Sequence, residues 1–567
     1  MFCPECGNRI EEGTRFCPEC GTRVEFEDSC NTTENNAGSD GLEKKFSIGC
    51  IILTNTRLLA KAMQSSPEVI TGLLQSFIEA KKDSGILYRL VDAGDYTFHK
   101  TSFFSSSRRV SLGTDSKSED YMEVLTDVHR HDKARSQYLF IIGGNDVIPM
   151  PSIRHYLEGK DNDIDTDIIY AYPYGKDVLQ LLESKELFKY DQQFMVGRLP
   201  FGTDASIDDL INYLERDISC SAGIPMTQAY GQCDPNWRNV SVKVAEGILP
   251  LMRNFDGRLS KEHYYNRIML TPHVNDGNVM QVFNKEASLY YYNLHGSNAV
   301  NVRGYLGVAV GERVTQMAIQ PEHMGSATQP NVVASEACYG ARFIGLDKHH
   351  SMMLSSIHNM TMAYLGSSRI AWGCVDHPGI TPSNAHISNA DIMAKTFTLS
   401  LLQGYSTGQA LFMARHAAIK NSKPGDLLST VTVVEFNLFG DPTLYMCEAG
   451  RKQASKEIGS TALVEKDVDL QCKVTEISNK STEGSLLGLV RSAVDENIAQ
   501  IHENIGKLLY ENFGLEPRPA DSIFKVRYSD GSEEYNFKYE TGNDELPMHY
   551  IVTSSKNGEI TRINSSK

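Results

Sequence analysis

Two apolar runs, rich in β-branched and aromatic residues, each stop abruptly at a reactive side chain beside a small one. The first runs from Tyr290 to His295-Gly296. The second runs from Asn331 through Glu336-Ala337 to Cys338-Tyr339-Gly340. Runs of this kind read as strands buried on both faces, the pattern of a parallel sheet covered by helices. Two such strands ending side by side would bring His295 and Cys338 to one edge of the sheet. Open α/β folds place their sites at that edge.

The rest of the chain fits this reading. Phe46–Asn55, Gln137–Gly144 and Phe194–Pro200 have the composition of further buried strands, and a helical stretch runs from about Pro67 to Lys82. Strands alternating with helices predict a mostly parallel sheet with helices on both faces. At 567 residues the chain exceeds a single core. Composition marks the breaks: residues 1–26, a polar linker at 27–45, the α/β body at 46–447, a second polar linker at 448–484, and a module at 485–567. In that module Leu487, Val490, Val494, Ile498, Ile501, Ile505 and Leu508 recur at helical spacing. Ile523–Tyr528, Glu533–Tyr539 and His549–Thr553 follow as short strands, with turns at Asp530-Gly531 and Asn557-Gly558. A small α+β unit is predicted there, for packing, regulation or substrate docking.

The first 26 residues carry Cys3-Pro4-Glu5-Cys6-Gly7 and Cys17-Pro18-Glu19-Cys20-Gly21, a near-duplicated knuckle. Four thiolates on two such turns describe a closed structural zinc site holding one ion, with no open position for chemistry. Five Glu against three Arg in residues 1–25 favour a protein partner over nucleic acid. The net charge of −16 likewise opposes binding to nucleic acid or an anionic membrane. No apolar run approaches the roughly 20 residues that span a bilayer. The sequence opens without the basic and apolar segments of a secretory leader, and a thiolate zinc site suits a reducing compartment. A cytoplasmic location is expected.

His295-Gly296, followed at this distance by Glu336-Ala337-Cys338-Tyr339-Gly340, resembles the caspase-type signature of cysteine peptidases. A thiol attacks a carbonyl as its thiolate, and a nearby imidazole can take its proton and later give one to the leaving amine. Cys338 is therefore the expected nucleophile and His295 the general acid/base. Five patterns in order sharpen the likeness: Tyr138 to Pro149; Asp167-Ile168-Ile169-Tyr170 with Val196-Gly197-Arg198-Leu199-Pro200; Leu294-His295-Gly296-Ser297; Ala337-Cys338-Tyr339-Gly340; and Phe436 to Leu444. Over residues 46–447 the chain resembles the bacterial gingipain family of the caspase-like clan. The resemblance implies a caspase-like α/β/α sandwich of two side-by-side subdomains, 46–250 and 251–447, with the catalytic pair in the second.

It also implies an oxyanion hole from the amides of Gly296 and Cys338. Asp167 is then expected to pair with a substrate guanidinium, with Asp165 as the competing carboxylate, and Trp372 to line the same pocket. Cleavage after a basic residue, Arg favoured, follows. Arg108-Arg109, in a Ser-rich insertion, is then a candidate self-processing site. The expected activity is limited intracellular proteolysis of a protein or peptide substrate, with the zinc ribbon or C-terminal module receiving an activating partner. Calcium, used by some caspase-like peptidases, is left open by the residues. The competing reading is an inactive caspase-like scaffold that recruits partners through the same two modules. Cys50 and Cys374 read as buried structural thiols, and His349, His350 and His377 as loop residues.

Overall fold

The computed structural model describes residues 48–567 except 100–107, 133–135, 156, 158–162, 173–191, 253–267, 271–282, 300–301, 309–314, 377–378, 421, 423–425, 449–471, 478–495, 529 and 543–546. The predicted zinc ribbon, with Cys3, Cys6, Cys17 and Cys20, and the first linker lie outside the described residues, as do His377 and most of the second linker.

Among the described residues the largest sheet has ten strands. In spatial order they are Met269–Leu270, Ala229–Cys233, Leu289–Asn293, Asn331–Ser335, Thr361–Ser367, Phe436–Gly440, Met195–Leu199, Tyr138–Ile142, Ile48–Thr54 and Ile86–Asp92. Neighbours run parallel except Thr361–Ser367 against Phe436–Gly440, where the direction reverses. The sheet thus joins two halves edge to edge. The strand Ala229–Cys233 sits with the later half, so that half draws on residues before 250. Every residue of Ile48–Thr54, Tyr138–Ile142, Leu289–Asn293 and Asn331–Ser335 is buried. Because successive side chains point to opposite faces, both faces are covered. Helices Pro67–Ala80, Ile207–Ser219, Ala390–Leu402 and Thr407–Lys420 pack on the sheet. Ser66 caps the first of these through a hydrogen bond from the Val69 amide, with Pro67 at its first position.

The C-terminal residues form a six-stranded sheet in the order Trp372–Cys374, Ile560–Ser566, Pro547–Ser555, Glu533–Gly542, Ser522–Tyr528 and Cys472–Ile477. Helix Glu496–Phe513 lays Ile498, Ile501, Ile505 and Leu509 on it, against Ile523, Tyr535, Phe537 and Val552. The α+β module is therefore present. Two of its strands escaped the sequence reading: Cys472–Ile477 lies in the stretch taken for linker, and Ile560–Ser566 is too polar to stand out. The latter pairs antiparallel with Trp372–Cys374 of the α/β body.

Candidate active site

The strand Leu289–Asn293 shows why this edge is ordered. Tyr290 and Tyr292 stack on one face, their rings 6.3 Å apart, while Tyr291 points to the other and donates its hydroxyl to Glu336 Oε1 at 2.8 Å. Its parallel neighbour is Asn331–Ser335, with Tyr291 opposite Ala334 and Tyr292 opposite Ser335. Just past these ends stand His295 and Cys338, exposed 2% and 4%. Gly296 packs directly on the Cys338 backbone: a Cβ there would lie 1.7 Å from the Cys338 carbonyl oxygen, so no other residue fits. Tyr339, immediately after the thiol, takes φ +53°, a left-handed conformation that costs an ordinary residue about 1–2 kcal/mol and turns the chain sharply.

The pair the sequence singled out is thus brought to one sheet edge. His295 Nε2 lies 3.7 Å from Asp234 Oδ2, and the Trp237 ring lies 4.3 Å from the imidazole. Asp234 is fixed by the amides of Asn236 and Val308. Burial lowers the His295 pKa, Asp234 raises it and the Lys567 ammonium lowers it, leaving it below the ordinary histidine value. The Cys338 thiol donates to the Ala371 carbonyl at 3.6 Å. A cleft opens beside it, lined by Gly296, Ser297, Gly304, Tyr305, Tyr339 and Arg342 among others.

On the other side of Cys338 lies Lys567. Its main-chain oxygen accepts from the Cys338 amide at 3.0 Å and the Gly296 amide at 3.4 Å, and its own amide donates to Ala371 O at 2.9 Å. The two amides expected to serve an oxyanion therefore converge on one oxygen. The Lys567 side chain enters a closed pocket. Its Nζ lies 3.1 Å from Asp391 Oδ1, 3.1 Å from Cys374 O and 3.7 Å from Glu336 Oε2, with the Trp237 ring centroid at 4.6 Å. Gly373 leaves room for the stem: a Cβ there would meet Lys567 Cε at 2.2 Å. Asp391 opens helix Ala390–Leu402, and its Oδ2 is held by the amides of Cys374 and Ser388. Glu336 Oε2 and Asp391 Oδ1 both face this ammonium. Burial and then Asp391 hold the Glu336 carboxyl well above its usual range, and Lys567 draws it down. Burial alone would lower the Lys567 pKa, but Asp391 and Glu336 outweigh it and leave it raised.

Two expectations change here. Asp167 does not face the cleft with a spare carboxylate, because Arg198 takes both oxygens at 2.8 and 2.6 Å in a buried ion pair. Asp165 accepts from Ser152 at 2.6 Å. The ring over the bound ammonium is Trp237; Trp372 is fully buried, and it is its backbone that pairs, with Ser566. Sequence reasoning missed Asp234, Trp237, Glu336, Asp391 and Lys567. Asp234 ends an apolar run before Pro235, and Glu336 lies inside the run already noticed; those were the available signals. Arg108 and Arg109 are exposed and pair with Glu123 and Asp95. Cys50 and Cys374 are buried with raised pKa values, burial being the chief cause, while His349 and His350 lie in the exposed stretch after Asp347.

Comparison with known proteins identifies the family. The model of peptidase family C25 matches residues 51–447, and that of the zinc-ribbon domain matches residues 2–24. No characterised protein sequence matches the chain. Among solved structures, the Arg-specific cysteine proteinase gingipain R (RgpB) is 13% identical with a TM-score of 0.45, covering 92% of this chain and 98% of its own. The complex of Porphyromonas gingivalis RgpB pro- and mature domains is 12% identical with a TM-score of 0.46, covering 91% of this chain and 99% of its own. The family match, rather than these distant likenesses, carries the assignment. The chain belongs to peptidase family C25, the gingipain family of cysteine peptidases.

Proposed function

We propose that this peptidase cuts proteins after a basic residue, with Cys338 as nucleophile and His295 as general acid/base. The observation that carries the reading is the convergence of the Cys338 and Gly296 amides on one oxygen beside the thiol, with an acid-floored pocket below. With Nε2 turned to Asp234, the other imidazole nitrogen, Nδ1, is left to take the thiol proton. The thiolate adds to the carbonyl carbon, and the two amides stabilise the oxyanion, each supplying about 3 kcal/mol in comparable sites. The imidazolium then protonates the departing amine, leaving a thioester. Water attacks that ester, giving its proton to His295, and the acid product leaves with the thiol restored.

Between Arg, favoured from the sequence, and Lys, the pocket chemistry favours Lys. Three acceptors surround one point, which suits the three donors of a compact ammonium better than a planar guanidinium fork. Peptides differing only in the residue before the cut test the reading. Lys should be preferred, Arg second, and Cys338→Ala should abolish cleavage. Preference for Asp, Asn or an apolar residue would overturn it.

An intracellular role in limited proteolysis is part of the proposal; the buried cysteines Cys50, Cys220, Cys374 and Cys447, which form no disulfide among the described residues, suit a reducing compartment. Cys3, Cys6, Cys17 and Cys20 would hold one structural zinc ion, and the ribbon would receive a protein partner. Metal analysis of the purified chain should find one zinc per chain, lost when Cys3 and Cys6 are replaced.

A further inference from the structure

We propose that the molecule shuts its own active site: Asn564–Lys567 lies in the substrate channel in cis as a substrate-like strand, and a peptide enters only when that segment leaves. The inference rests on the peptidase reading above and concerns the regulation of that site.

Every contact expected of a bound peptide is already made by this segment. Asn564, Ser565 and Ser566 pair antiparallel with Cys374, Gly373 and Trp372, an edge that an extended substrate would otherwise join as an added strand. Lys567 completes the register, with its amide on Ala371, its main-chain oxygen between the two oxyanion amides and its ammonium on the acid floor. Residues 564–567 are each at most 2% exposed, so no second peptide can share the channel.

The segment is also tethered. It forms the end of a strand whose other edge pairs with Pro547–Ser555, where Tyr550 meets Ser565 and Ile551 meets Asn564. Arg562 grips Asp426 with two hydrogen bonds of 2.8 Å, and Asn564 donates to Ser388 at 2.8 Å. Opening the channel therefore means peeling Asn564–Ser566 from Trp372–Cys374, and Asn564 and Ser565 from Pro547–Ser555, while Arg562 keeps the base of the strand in place. A tethered occupant competes at a local concentration on the millimolar scale, far above most substrates.

Kinetics on a fluorogenic peptide ending in Lys separate the possibilities, using the full chain, the full-length Lys567→Glu variant and a chain lacking 564–567. Glu at 567 places a third carboxylate beside Glu336 and Asp391, which expels the side chain and so weakens the segment's hold on the channel, without shortening the chain. Both variants should gain about tenfold or more in kcat/KM, chiefly through KM. A synthetic peptide of residues 560–567 should inhibit the shortened chain competitively. If the shortened chain does not fold, Lys567→Glu decides. Rates within about twofold across the chains, with no inhibition by the peptide, would overturn cis occupancy while leaving the peptidase reading intact. If none of the chains cuts the peptide or reacts with a lysyl ketone, the peptidase reading falls and takes the inference with it.

Discussion

Asp167 and Asp391 are both carboxylates facing a cation, yet the structure gives them opposite standing. Asp167 is saturated by Arg198, whose remaining donor binds the carbonyls of Gly143 and Ile148. Asp391 instead turns its Oδ1 to the Lys567 ammonium, 3.1 Å away. Asp167→Asn should therefore destabilise the fold by about 3–5 kcal/mol, the usual result of breaking a buried pair, and leave the preference for basic peptides unchanged. Denaturant unfolding beside a peptide panel checks this; a change of preference at unchanged stability would return Asp167 to the pocket. Asp391→Asn, introduced into the Lys567→Glu chain so that no lysine already holds the pocket, should instead lower kcat/KM on Lys peptides about 100-fold, as loss of a desolvated charge partner does. His295 and Cys338 were legible in the sequence because each ends a strand abruptly. The pocket acids were not, because Glu336 and Asp391 meet only when a strand end and a helix start 55 positions apart are folded together.

Among elements, the parallel pair Leu289–Asn293 and Asn331–Ser335 does the positioning, and its close approach past the strand ends depends on Gly296. Gly296→Ala would force its methyl against the Cys338 carbonyl and displace an oxyanion amide. Its kcat should fall about 100-fold or more, with KM for a Lys peptide less affected, as expected when a transition-state contact is lost. A matched loss confined to KM would contradict that role. The buried strands of the α/β body could be read from their apolar runs because burial on both faces demands them. Ile560–Ser566 could not: it is held by ladders to Trp372–Cys374 and Pro547–Ser555 rather than by its own side chains. The helix of the C-terminal module was legible because its apolar face repeats at three and four residues over the described span Glu496–Phe513.

At the scale of the whole molecule, the ten-stranded sheet joins two halves through Phe436–Gly440, and the C-terminal sheet reaches both. Its final strand pairs with Trp372–Cys374, while Lys538 Nζ donates to the Leu157 carbonyl of the first half. Nearby, burial drives the His155 pKa down to about 3. An unfolded histidine binds a proton below about pH 6.5, so between that pH and about 3 the unfolded chain holds the extra proton. Stability should thus fall with acidification, by about 1.4 kcal/mol per pH unit for this residue. Urea midpoints from pH 7 to 4 should decline less steeply for His155→Gln than for the native chain; equal slopes would contradict the assignment.

The central claim is that Cys338 is the nucleophile of a site that takes a basic side chain on one flank. The most direct measurement is peptide mapping by mass spectrometry after the Lys567→Glu chain is treated with a peptidyl lysyl ketone. One adduct is expected, on Cys338, abolished by His295→Ala and slowed by Asp391→Asn. An adduct on another cysteine, or labelling of Cys338 at the same rate by an aspartyl ketone, would contradict the account.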